Sequence, residues 1–247
     1  IADGDVLIAI DGACVGQVNG LSVVDLGDHR FGFPVRVTAR THAGEDGLIS
    51  IEREVEMSGP IHDKGVFILH NYLAALFARN APLSFNASIV FEQEYSGIEG
   101  DSASCAELFA LVSALAGIPL RQAIAVTGAL NQHGEVLPVG GINEKIEGYF
   151  RICAEAGFTG SQGVLIPHRN RRNLMLDHEV ITAVDQGRFH IYTAEHAGDG
   201  LELLTGLPIG QANARGLYPK DSLLGQVQRT LVQYHRACAS HERHKEG

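Results

Sequence analysis

Between Ser102 and Leu115 the chain reads Ser-Ala-Ser-Cys-Ala-Glu-Leu-Phe-Ala-Leu-Val-Ser-Ala-Leu, with Glu107 as its only formal charge. A helix that is apolar nearly all round has no face for solvent and is stable only inside other structure. Gly117-Ile118-Pro119 stops it. The rest of the chain must therefore supply walls for a buried helix. With 247 residues, 45% of them hydrophobic, it has enough material for one large domain, or for a domain with appendages.

Strands come first. Val6 to Ile10 is a short apolar run closed by the turn pair Asp11-Gly12. Gly20 to Leu26, Phe33 to Thr41 and Leu48 to Arg53 also read as strands, and together these predict an N-terminal β-meander. In the third of them Phe33, Val35, Val37 and Ala39 share one side, as in a half-buried strand. The period then changes. Val66, Leu69, Leu73, Leu76 and Phe77 recur at helical spacing and predict a helix from about Asp63 to Arg79, stopped at Asn80-Ala81-Pro82.

Strands are expected over Ser84 to Glu94, Ala123 to Thr127 (apolar throughout, hence central), Glu135 to Val139, Gly163 to Pro167 and Phe189 to Thr193. Helices are expected around Ile146, Tyr149, Phe150 and Cys153, and over Glu195 to Leu204. Strands and helices mix without strict alternation, which predicts an α+β fold of mixed βαβ units rather than a doubly wound sheet. The division expected is a main domain over 1–206 and an extension over 207–247. The extension consists of a Gly-rich linker and a helix from Asp221 to Ala239, capped by Asp221 or Ser222, with a frayed charged tail from Ser240.

Composition narrows the function. A net charge of −10 argues against a nucleic-acid binder, whose footprint is basic. Cys14, Cys105, Cys153 and Cys238 lack the paired short spacing of zinc or redox sites, and they fit free thiols in a reducing, cytoplasmic setting. No apolar run has the length of a membrane span. Twelve histidines form no His-Glu-x-x-His pair, and no Gly-x-Ser-x-Gly elbow occurs. Arg169-Asn170-Arg171-Arg172 reads as a solvated loop. The start at Ile1 reads as an excised piece of a longer protein.

Two segments carry chemistry. In Glu99-Gly100-Asp101-Ser102-Ala103-Ser104, Ser102 opens the buried helix. The first N–H groups of a helix have no intrahelical partner and can hold an anion such as an acyl-transfer oxyanion. In Leu137-Pro138-Val139-Gly140-Gly141-Ile142-Asn143-Glu144-Lys145, a lysine follows a glycine turn at the start of another helix. Burial and the helix dipole both disfavour its charge and push it toward a free base. A serine hydroxyl is a weak nucleophile until such a base takes its proton. Taken singly, Ser102 also fits a helix cap and Lys145 a surface charge paired with Glu144 or Glu147.

These two segments, in this order and with the strand between them, resemble the proteolytic domain of Lon proteases, in particular the B-type branch. The resemblance extends from about Gly16 to about Leu204. It implies the Lon proteolytic-domain fold, with the helix beyond Gly206 as an added element. It also implies a serine endopeptidase with Ser102 as nucleophile, Lys145 as general base and Thr127 supporting the lysine amine. Substrates would be unfolded or unstable polypeptides, and no metal or cofactor would be held in this segment. ATP and Mg would belong to a separate N-terminal ATPase module, since no Gly-x-x-x-x-Gly-Lys-Ser/Thr loop is present here. The family works as homo-oligomeric hexameric rings, with no membrane or nucleic-acid partner expected. Two rival readings stand beside this one. The first is a non-proteolytic Lon-like scaffold, such as that of the RadA recombination protein. The second is an intact pair held inactive, with Asp101 or a neighbouring loop over Ser102.

Overall fold

The computed structural model describes residues 6–79 and 82–245, with side chains described through residue 240. Its strands are β1 (Ala13–Cys14), β2 (Gln17–Asp25), β3 (Arg30–Ala43), β4 (Gly47–Ser50), β5 (Phe85–Glu92), β6 (Leu120–Arg121), β7 (Ile124–Val126), β8 (Ala129–Leu130), β9 (Val136–Leu137), β10 (Gly163–Pro167) and β11 (His190–Ala194). Its helices are α1 (Ile51–Glu54), α2 (Pro60–Phe77), α3 (Ser104–Ala116), α4 (Ile142–Ala156), α5 (His178–Asp185), α6 (Ala197–Thr205) and α7 (Leu223–Lys245), with a 3-10 helix over His168–Asn173. The fold is α+β.

Seven strands form one mixed sheet in the order β11-β10-β7-β2-β3-β5-β4. The β11–β10–β7–β2 side is parallel, β3 runs antiparallel to both β2 and β5, and β4 lies parallel to β5. Along β7 and β10 successive side chains point to opposite faces. Val126 and Leu165 join a core with α2, α3, α6 and α7. Ala125, Val164 and Ile166 join a second core with α4 and α5. The sheet is thus a wall between two helical layers, and β7, the strand just before Thr127, is interior to it.

The buried helix is as apolar contact demands. From Ser104 to Leu115 every residue of α3 except Ala114 is buried, Glu107 included. Helix α7 closes the same core through Leu223, Val227 and Leu231. Its cap is Ser222, whose Oγ accepts the Gly225 N–H at 3.2 Å.

Several expected elements are placed differently. Val6 to Ile10 forms no strand, because side chains rather than a ladder take its backbone: Asn19 Nδ2 donates to Ala9 O, Gln162 Nε2 to Ile10 O, and Leu7 N–H to Gln93 Oε1. Within the first quarter, direct pairing is limited to β2 with β3. β5 takes the place beside β3, so that β4 pairs only with β5. β4 ends at Ser50 and the chain turns helical at Ile51. Helix α2 starts three residues early because Pro60 occupies its first turn, where a missing N–H costs nothing. The expected stop at Asn80-Ala81 lies outside the described residues. α7 continues helical past Ser240 to Lys245.

Candidate active site

Ser102 sits in the loop two residues ahead of α3, not at its cap; the N-cap position is Ala103. The loop is held by the chain that leaves β7. Ser102 O accepts the Gly128 N–H at 2.8 Å, and Gly128 O accepts the Cys105 N–H at 3.0 Å. Asp101 O accepts both the Ser104 N–H, at 3.1 Å, and the Ser104 hydroxyl, at 2.8 Å. Two of the helix N–H groups expected to face an anion are therefore already engaged. Any oxyanion donors must lie earlier, in the loop itself.

Thr127 follows β7 directly and continues its ladder through Thr127 N–H to Leu165 O at 3.0 Å. This extends a parallel strand by one bond and aims the hydroxyl at the Ser102 loop, where it lies 3.2 Å from Ser102 O.

Lys145 stands in the first turn of α4, its N–H bonded to Gly141 O at 3.0 Å. Gly141 caps that helix at φ 66°, a left-handed conformation glycine adopts without strain. The helix is pressed against β3. A Cβ on Gly32 would come within 2.6 Å of Lys145 Cα, and one on Gly148 within 1.9 Å of Gly32 O. No residue other than glycine permits this approach, and the approach buries the lysine: Lys145 is only 3% exposed.

The structure brings all three expected residues together. Lys145 Nζ lies 3.0 Å from Ser102 Oγ and 2.9 Å from Thr127 Oγ1. Counting protons orients the set. Thr127 has one hydroxyl proton, and Ser102 O, which can only accept, takes it. Thr127 Oγ1 must then accept an N–H from Lys145. In a neutral amine this leaves the nitrogen lone pair free for the Ser102 hydroxyl.

The electrostatics bring that neutral state within easier reach. Burial lowers the Lys145 pKa from 10.5 to about 8, the Arg30 charge adds to the lowering, and Asp101 opposes it. Among the described residues no carboxylate lies within ion-pair distance of Lys145; Glu144 turns instead to Arg30 at 3.6 Å. Asp101 acts on Lys145 through its charge, and the Ser102 hydroxyl lies within hydrogen-bond distance of the lysine amine.

Sequence reasoning missed Arg30, Gly32 and Gly148. The last two were detectable only as glycines inside a strand and a helix, where they otherwise weaken both. A cleft of about 230 Å³ opens beside Ser102. Leu21, Val23, Phe33, Ile98 and Ala103 give it an apolar lining, and Glu99 lies at its edge. Among the described residues no group of three or more His, Cys, Asp or Glu could hold a metal ion, and no helix is long and apolar enough to cross a membrane.

Residues 96–204 match the Lon protease (S16) C-terminal proteolytic domain family. The chain is 44% identical over 209 residues to the "Putative Lon protease homolog" of Escherichia coli (strain K12), covering 84% of this chain and 36% of that protein. It is 42% identical over 233 residues to the protein of the same name from Haemophilus influenzae, covering 94% of this chain and 39% of that one. An "Archaeal Lon protease" of Thermococcus kodakarensis is 31% identical over 231 residues, with 92% of this chain and 32% of that protein covered. The chain thus spans about a third of the length of these relatives. The matched stretch contains both the Ser102 loop and the Lys145 turn, and through it this chain belongs to the Lon protease family as a C-terminal proteolytic domain.

Proposed function

We propose that this domain is a serine endopeptidase working through a Ser102–Lys145 dyad. Neutral Lys145 takes the hydroxyl proton as Ser102 Oγ attacks the peptide carbonyl carbon. N–H groups of the Asp101–Ala103 loop hold the oxyanion, since the Gly100 N–H is taken by Glu99 Oε1 at 3.0 Å. The carbon–nitrogen bond then breaks, the Lys145 ammonium returns the proton to the leaving amine, and a water deprotonated by Lys145 hydrolyses the acyl-enzyme. Thr127 keeps the amine aligned by accepting one of its N–H bonds.

The observation that carries this reading is a lysine 3% exposed, without a carboxylate partner among the described residues, 3.0 Å from a serine hydroxyl. A scaffold gains nothing from burying an unpaired amine, which costs several kcal/mol when charged. A general base gains a larger fraction with a free lone pair near neutral pH than an exposed lysine has. Supply of unfolded polypeptides by an ATP- and Mg-dependent ATPase module, assembly into a hexameric ring and a cytoplasmic setting belong to the same proposal. They rest on likeness to Lon proteases.

The test is peptide hydrolysis by Ser102→Ala and Lys145→Ala. Both are expected to fold and to lose turnover; wild-type cleavage by either one overturns the assignment.

A further inference from the structure

The 3-10 helix after β10 carries three arginines, Arg169, Arg171 and Arg172, all exposed. The residue between them behaves differently: Asn170 is 4% exposed. Its Oδ1 accepts the Val139 N–H at 2.9 Å and its Nδ2 donates to Val139 O at 3.0 Å. One carboxamide thus satisfies both polar groups of a single residue, as a neighbouring strand would. The segment is tied again on the far side of the Gly140-Gly141 turn. Asn143 Oδ1 accepts the Met175 N–H at 2.9 Å, and Asn143 Nδ2 donates to Asn173 O at 3.4 Å.

Between these ties the turn packs on its Gly141 side alone, where a Cβ would come within 2.8 Å of Val23 Cγ2 and 3.1 Å of Arg30 Nη2. A Cβ on Gly140 would meet nothing within 4 Å. Yet the turn decides where α4 begins, because Gly141 caps the helix and its carbonyl holds the Lys145 N–H. The Gly32–Gly148 contact fixes how close α4 lies to the sheet. It does not fix where along its axis the helix starts. A buried amide gripping the chain two residues before the cap supplies that restraint. A displacement of about 1 Å at a reacting group is enough to cost about 100-fold in rate.

We propose that Asn170 is a positioning residue for Lys145: its bidentate grip on the Val139 backbone sets the Gly140-Gly141 turn from which the lysine is presented to Ser102. The inference rests on the dyad proposed above and adds a residue that touches neither Ser102 nor Lys145.

The test compares Asn170→Ala, Asn170→Asp and Arg171→Ala with wild type in the full chain, measuring kcat and KM on one peptide across pH, together with thermal unfolding. Asn170→Asp keeps the size and the acceptor for Val139 N–H but loses the donor to Val139 O. Asn170→Ala is expected to lower kcat about tenfold or more, to leave KM within about twofold and to move the acid limb of kcat/KM to higher pH as water reaches the amine. Asn170→Asp should change in the same direction by less, and exposed Arg171→Ala not at all. If Asn170→Ala does not fold, Asn170→Asp decides. Wild-type kcat with an unmoved acid limb overturns the proposal, whatever happens to the melting temperature. A fall in kcat that only matches a smaller folded fraction, with the limb unmoved, overturns it too. If Ser102→Ala and Lys145→Ala remain active, the dyad itself fails. If they are inactive while the Asn170 variants behave as wild type, this inference alone fails.

Discussion

Lys145 and His62 are both buried near the N-terminal end of α3, at 3% and 1% exposure, and their surroundings do opposite things to them. His62 of α2 lies 3.0 Å from Glu107, itself 1% exposed, with Glu52 and Asp63 adding negative charge and the Phe91 ring at its edge. Burial alone lowers its pKa, but the Glu107 bond and the three carboxylates outweigh this and leave it raised. Lys145 has two hydroxyls, an arginine charge nearby and no carboxylate in contact, and its pKa falls to about 8. A buried cation with a counter-charge holds its proton; one without gives it up more readily. The same helix carries Glu107 for the first and follows the Ser102 loop that faces the second.

The largest expected effect breaks the comparison on the lysine side. Ser102→Ala and Lys145→Ala should each cost about a thousandfold or more in kcat/KM, with folding retained by circular dichroism. On the histidine side, Glu107→Ala leaves a buried imidazole unpaired and should cost about 3 to 5 kcal/mol in chemical denaturation. It should not move the acid limb of the rate profile. Thr127→Val removes the acceptor that orients the lysine and should lower kcat about 10- to 100-fold, with Thr127→Ser recovering most of the loss.

The smallest effect is also the most diagnostic. Because its folded pKa lies below 10.5, Lys145 binds fewer protons in the folded state between about pH 8 and 10.5, so stability rises with pH across that window. Below about 8 the penalty is fully present, about 3 kcal/mol for the shift. Lys145→Met removes the penalty and loses two hydrogen bonds worth about 1 kcal/mol each. A net gain of about 1 kcal/mol is expected at pH 7, fading as pH approaches 10. His62 contributes in the opposite sense: its stabilisation is complete below 6.5 and lost as pH rises through its raised value. Denaturation midpoints across pH, read on Lys145→Met and His62→Leu, separate the two slopes.

Much of this was legible in the chain. The apolar run after Ser102 fixed a buried helix, and a serine loop followed by a glycine-turn lysine has a shared chemical meaning. What stayed hidden was contact between segments distant in sequence. Gly32 and Gly148 matter only because β3 and α4 cross there, and nothing local in either stretch says so. Arg30 acts on Lys145 through the same crossing. Asn170 looked like part of a solvated basic run because its neighbours are solvated; its burial depends on Val139 arriving beside it. β5 is inserted next to β3 by the excursion through α2, so reading consecutive strands as a meander misplaced β4.

On the proposed mechanism Ser102 becomes nucleophilic only in the fraction of molecules in which Lys145 is neutral. The most direct measurement is covalent labelling with a serine-reactive acylating or phosphonylating probe. The modified residue is located by mass spectrometry, and its rate is followed from pH 6 to 10 in wild type and Lys145→Ala. The account predicts modification at Ser102 alone, a rate that rises through an apparent pKa of about 8, and no labelling without the lysine. Modification of another serine, or Ser102 labelling that persists in Lys145→Ala with no dependence on pH, would contradict it.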